Sequence, residues 1–155
     1  SWSEIVGSGT APARTNSASG FDTINETIYL FGGQEYYKLS DTTACFDTIT
    51  EAWSYPIFTG DTIPPMHSAT VAWSDYVGGF VISGGQSYYQ LLDSVYVLIP
   101  DGVCSGEVTE VSISSGSIEP HMGASLVQDT INQESILIGG RSYYQLLDIV
   151  SHFNL

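Results

Sequence analysis

The sequence predicts an all-β fold built of repeated four-stranded antiparallel sheets, three per chain. Three observations predict it. First, glycine pairs recur at Gly32-Gly33, Gly84-Gly85 and Gly139-Gly140, 52 and 55 residues apart. Each closes a short apolar run, such as Ile28-Tyr29-Leu30-Phe31 or Ile136-Leu137-Ile138. A period near 50 residues is that of stacked units, each too small to bury its own faces. Second, each pair is followed by two tyrosines and, eight residues past the second glycine, an aspartate: Asp41, Asp93 and Asp148. Third, no apolar spacing of three and four is sustained. Short β-branched and aromatic runs are instead separated by Gly, Asp, Asn and Pro, the pattern of strands and turns.

Strands are expected in the first repeat near 17–21, 27–31, 42–47 and 52–55. In the second they fall near 69–73, 79–83, 94–99 and 107–113, and in the third near 124–128, 135–138 and 149–154. The glycine pair ends the second strand of each unit, where missing Cβ atoms let the backbone turn and neighbours pack close. A chain of 155 residues suits one domain. It divides into a leading strand and turn (1–11), two full units (12–63 and 64–118) and an incomplete third (119–155).

Composition narrows the function. Hydrophobic residues make up 43% and charged residues 13%, enough apolar material for a core and too little charge for a disordered chain. Seventeen acidic and three basic residues give a formal charge of −14. Such a surface repels phosphate backbones and anionic lipid, which argues against nucleic acid and membrane as partners. No apolar run approaches the ~20 residues of a membrane span. No basic start with an apolar stretch reads as a signal peptide, so the chain either never carried one or begins after its removal. Cys45 and Cys104 form one bridge or stay as two buried thiols. Few basic residues, many Ser and Thr, and the glycosylation pattern Asn25-Glu26-Thr27 point to an extracellular or secreted setting. The cytoplasm is the alternative.

The first repeat carries Pro12-Ala13-Arg14, then Ser17-Ala18, then Ile28-Tyr29-Leu30-Phe31-Gly32-Gly33, then Phe46-Asp47 and a closing Trp53. In this order the chain resembles the Kelch repeat family over essentially its whole length. The second repeat has Pro65-Met66-His67 and the third Pro120-His121-Met122 in place of the arginine segment, and Val111 lies in the second repeat's fourth strand, where the closing tryptophan would stand. The resemblance implies a β-propeller of four-stranded Kelch-like blades, usually a binding platform and only sometimes an enzyme.

A propeller normally has 4–8 blades, and this chain encodes three. The segment Trp2-Ser3-Glu4-Ile5-Val6 looks like a fourth strand with no blade before it. The stretch Ile149-Val150-Ser151-His152-Phe153 looks like a third strand with no fourth after it. A blade lacking its outer strand exposes unpaired N–H and C=O groups. The expectation is that the leading strand of one copy completes the last blade of another, giving a six-bladed homodimer with two equivalent seams. The same joint makes a filament if the rotation does not close. A third alternative is that these residues are an excerpt of a longer propeller.

Candidate functional residues are few. The pairs Tyr36-Tyr37, Tyr88-Tyr89 and Tyr143-Tyr144 lie in loops between the second and third strands. They are expected mainly to pack, with neighbouring leucines filling gaps between blades and the aspartates capping turns. The alternative is a binding ring for another protein or a glycan. His67 and His121 occupy similar places in successive blades and would point to the axis. With His152 they make no metal-ligand spacing. A galactose-oxidase-like copper enzyme would need a Cys–Tyr crosslink, and no tyrosine is marked for one. No phosphate loop, nucleophile elbow or calcium motif is present. The expectation is a non-enzymatic module without a cofactor.

Overall fold

The computed structural model describes residues 3–155. Among these the chain is all β-structure, without a helix long and apolar enough to cross a membrane. The first repeat folds as β1 (Ala18–Asp22), β2 (Thr27–Phe31), a ribbon of β3 (Gln34–Glu35) and β4 (Lys38–Leu39), then β5 (Ala44–Asp47) and β6 (Ala52–Ser54). Sheet I has the order β1-β2-β5-β6, antiparallel throughout. The second comprises β7 (Thr59–Gly60), β8 (Thr70–Ser74), β9 (Gly79–Ser83), the ribbon β10 (Gln86–Ser87) and β11 (Gln90–Leu91), β12 (Val95–Gly102) and β13 (Ser105–Val111). Sheet II has the order β7-β13-β12-β9-β8. Sheet III contains β14 (Ser125–Asp129), β15 (Glu134–Ile138) and β16 (Val150–Phe153) in that order.

Strand alternation sends successive side chains to opposite faces, so the middle sheet contributes to two layers and the other two to one each. Tyr29, Phe31 and Cys45 of sheet I pack against Phe80, Ile82, Tyr96, Leu98 and Val108 of sheet II. The other face of sheet II sends Val81, Val95 and Val97 against Leu126, Leu137 and Phe153 of sheet III. Strand β9 lies between both layers and is buried along its whole length. The outer two faces carry similar residues and meet no further sheet among the described residues, although the segment at Gly7 and Gly9 lies beside Phe46 and Trp53. On sheet I, Phe21, Ile28, Phe46 and Trp53 form one cross-strand row. On sheet III, Val127 aligns with Ile136 and His152, and Ile138 with Val150.

Eleven expected strands are present with ends shifted by a few residues. The five two-residue strands were not expected. One of them, β7, runs parallel to β13 on the outer edge of sheet II, and Ser8 does the same beside Ala52 on sheet I. On sheet III the corresponding Ser115 bridges Asn154, just past β16, because no fourth strand intervenes among the described residues.

The turn chemistry corrects one expectation. Asp41, Asp93 and Asp148 cap no turn among the described residues. That work falls to Asp22, Asp47 and Asp129, each opening an Asp-Thr-Ile turn. Asp22 Oδ1, for example, accepts from the Ile24 and Asn25 N–H groups at 2.9 and 3.2 Å, and Asp47 and Asp129 repeat this arrangement. Asn25, the glycosylation candidate, donates its side-chain nitrogen to Asp22 Oδ2 at 2.7 Å.

Candidate functional site

The tyrosine pairs occupy ribbon tips. In the first two ribbons a two-residue turn joins the short strands, and Tyr36 and Tyr88 hold positive φ of 52° and 49°, a conformation tight hairpins need and glycine usually supplies. The second tyrosine of each pair stands in solvent: Tyr37, Tyr89 and Tyr144 are 98, 93 and 99% exposed. Within this chain the second tyrosines pack against nothing, where packing was expected. Tyr143 differs from the others. Its hydroxyl donates to Tyr89 O at 2.8 Å and accepts from Leu91 N–H, fastening sheet III to the second ribbon. The leucine expectation divides by position. Leu39 and Leu91 are buried, while the equivalent Leu146 is 84% exposed.

The three sheets meet along an inner rim held by backbone hydrogen bonds of one repeated form. Gly33 N–H donates to Met66 O at 2.7 Å, and Gly85 N–H to His121 O at 2.8 Å. Ser68 N–H donates to Asn16 O and Gly123 N–H to Ser68 O, both at 2.8 Å. Asn16, Ser68 and Gly123 all have φ between 55° and 65°. The preceding glycines permit this approach: a Cβ on Gly32 would lie 2.2 Å from Met66 O, and one on Gly84 would lie 2.3 Å from His121 Nε2.

This alignment corrects the histidines. His121 corresponds to Met66, and His67 to Met122, so the two are one position apart and do not share an environment. His121 is buried beneath Gly84, with Nδ1 2.8 Å from Glu119 O and Nε2 unpartnered. Burial holds its pKa below the usual 6.5. The folded state thus favours neutral imidazole. Stability from this site is complete above about 6.5 and is lost as pH falls through the lower folded-state pKa. We expect urea stability to drop between pH 7 and pH 5, and His121→Met to remove part of that drop. An unchanged slope in the variant would reject this account.

His67 lines a cavity of about 430 Å³ with Ser68, Met122, Gly123, Gly140 and Leu146, open beside Arg141. Its Nδ1 lies 2.9 Å from Ser68 Oγ. Burial, then the Arg141 charge, hold its pKa down. His152 lies on the far face of sheet III, 3.3 Å from Glu134. Among the described residues no three His, Cys, Asp or Glu side chains converge as metal ligands. Cys45 and Cys104 are bonded to each other across sheets I and II, with Cα atoms 5.7 Å apart, leaving no thiol for a Cys–Tyr crosslink.

Of the assembly candidates, Trp2 lies outside the described residues. Glu4, Ile5 and Val6 form no strand in this chain and are exposed. Ile149 precedes β16 and accepts from Gly139 N–H at 2.9 Å. Val150 and His152 point outward, whereas Phe153 is buried against sheet II.

No family model matches the chain. A Dictyostelium discoideum protein described as a probable serine/threonine-protein kinase is 30% identical to it over 122 residues. The match covers 76% of this chain and 9% of that protein, so the chain spans under a tenth of its relative's length.

Proposed function

We propose that the three sheets are successive blades of a Kelch-like β-propeller, and that the chain is a non-enzymatic module for self-assembly and protein binding. The carrying observation is the repetition: three sheets of one antiparallel strand order, joined by the same rim hydrogen bonds, Gly33 to Met66 and Gly85 to His121. In the assembly reading the leading segment Trp2–Val6 of another copy adds a fourth strand to the third sheet, and two copies make a six-bladed ring; in the excerpt reading further repeats of a longer chain complete it. The same segment joined without closure gives a head-to-tail filament. The match to a short stretch of a much longer protein suits a module. The bridge between Cys45 and Cys104 suits an oxidising, extracellular setting. The exposed tips Tyr37, Tyr89 and Tyr144 favour a second role in binding a protein or glycan.

Deleting 1–6 is expected to leave a folded monomer of the remaining chain, and adding the peptide in trans to restore assembly. Native mass measured by light scattering checks this. Assembly unchanged by the deletion would reject strand exchange.

A further inference from the structure

Sheets I and II enclose a cleft of about 210 Å³, and both of its walls belong to this chain. Residues 41–43, at the start of β5, come from sheet I. Residues 56–63, which lead into and past β7, meet Val108 of β13 in sheet II. The floor is apolar: Phe58 and Ile63 pack against the aromatic layer, and Val108 is buried within it. The walls carry two carboxylates. Asp61 is held against β13, its N–H donating to Val108 O at 2.8 Å and its Oδ2 accepting from Glu110 N–H at 2.8 Å. Its Oδ1 has no partner among the described residues. Asp41 accepts no hydrogen bond and makes no ion pair among the described residues. Two cations stand nearby. Arg14 donates to Thr42 O at 2.7 Å behind the sheet I wall, and Glu35, 3.7 Å from its Nε, offsets its charge. Lys38, in the adjoining ribbon, forms no ion pair with either aspartate.

The acid and the phenyl ring of residues 56–63 are not part of the repeated frame. Gly60 and Gly116 hold equivalent positions, with φ of 82° and 90°, and a Cβ on either would strike an edge-strand carbonyl, Val108 O or His152 O. Aligned on them, Asp61 has Ser117 as its counterpart and Phe58 has Ser114. Frame residues recur between repeats, whereas connecting segments that carry function differ. The first joint therefore holds an acid and an aromatic ring that the second builds without.

We propose that this cleft binds a primary alkylammonium group, with the cationic head at the Asp41 and Asp61 carboxylates and the alkyl stem on Phe58, Ile63 and Val108. The head supplies N–H donors to oxygens that lack them and charge to carboxylates without a counter-ion. The apolar floor needs a stem. A bare metal ion would meet too few ligands, since no three His, Cys, Asp or Glu side chains converge among the described residues. A free amine and the lysine side chain of a partner share this chemistry. The proposal uses neither end of the chain and no ring closure, so failure of strand exchange leaves it standing.

Amide NMR shifts, followed during titration with n-butylammonium chloride at low salt, test it. Saturating shifts are expected at residues 41–43 and 56–63, with a Kd in the millimolar range for so small a ligand. Raised salt should weaken binding, and 1-butanol, the neutral analogue, should bind at least about tenfold more weakly, as should butylammonium to Asp41→Asn or Asp61→Asn, each of which removes a charge-assisted hydrogen bond. Asp41→Asn carries the test should Asp61→Asn disturb β13, because Asp41 supports no hydrogen bond of the fold. Asp93→Asn, at the equivalent of Asp41 in the second repeat, should bind as the wild type does. Absence of saturable shifts at these residues overturns the proposal. So does 1-butanol binding as tightly as the amine, or wild-type affinity in Asp41→Asn. A glycine-lysine-glycine peptide blocked at both ends separates the sources. Binding at least as tight as that of butylammonium assigns the cleft to a partner's lysine, and exclusion of the peptide while the amine binds assigns it to a free amine.

Discussion

Truncating Phe80 to alanine is expected to lower the free energy of unfolding by about 3–5 kcal/mol, the usual cost of removing a fully buried phenyl ring. Phe80 is inaccessible to solvent at the centre of the layer between sheets I and II. Its ring centroid lies 5.4 Å from Tyr29, 5.8 Å from Phe31 and 5.0 Å from Trp73, all edge-on. Such pairs add to the burial term. Collapse into the space is hindered because three rings from two sheets would have to move together. Gly20 sits directly on the ring and has no side chain with which to fill the gap. Urea denaturation measures the loss. A change under about 1 kcal/mol would mean that the layer is not packed as described. Ile131→Ala at an exposed turn is the control and should stay within about 0.5 kcal/mol.

Replacing Cys45 and Cys104 together by serine is expected to cost about 4 kcal/mol on the chain-entropy account, given the 59-residue separation. The bond ties β5 of sheet I to the turn between β12 and β13, so it restrains the two sheets that share the aromatic layer. The same loss should follow reduction of the wild type by a strong thiol, read as a lower midpoint in urea. If the double-serine variant matches the oxidised wild type, the bridge adds nothing to stability, and the argument for an oxidising setting weakens with it.

Much of the fold was legible because the repeat repeats its physics. The glycine pairs marked the ends of β2, β9 and β15, and the flanking apolar runs gave the strands that build both layers. The short strands were not legible. Thr59 and Gly60 pair with β13 through backbone alone, and nothing in their side chains signals a parallel edge. The capping aspartates are hard to read because Asp41, Asp93 and Asp148 recur at constant offset from the glycine pairs, whereas Asp22, Asp47 and Asp129 are marked only by the Thr-Ile after them. The histidines show the limit of inspection: aligned on Pro65 and Pro120 they differ by one residue, and one residue is the difference between a cavity wall and a buried slot. Exposure of the second tyrosines could not be read from their repetition, because a repeated residue serves equally for packing or for display. The rim hydrogen bonds were not legible, since any residue can supply a backbone N–H.

Unfinished sheet margins invite indiscriminate stacking, which leads to insoluble aggregate. The parallel pieces at Ser8 and at Thr59–Gly60 act as guards along two such margins, occupying backbone groups that a stranger's strand would otherwise take. The third margin has only a guard at one end, at Ser115. A short peptide of β-forming sequence is therefore expected to pair with β16 more readily than with the guarded margins of sheets I and II.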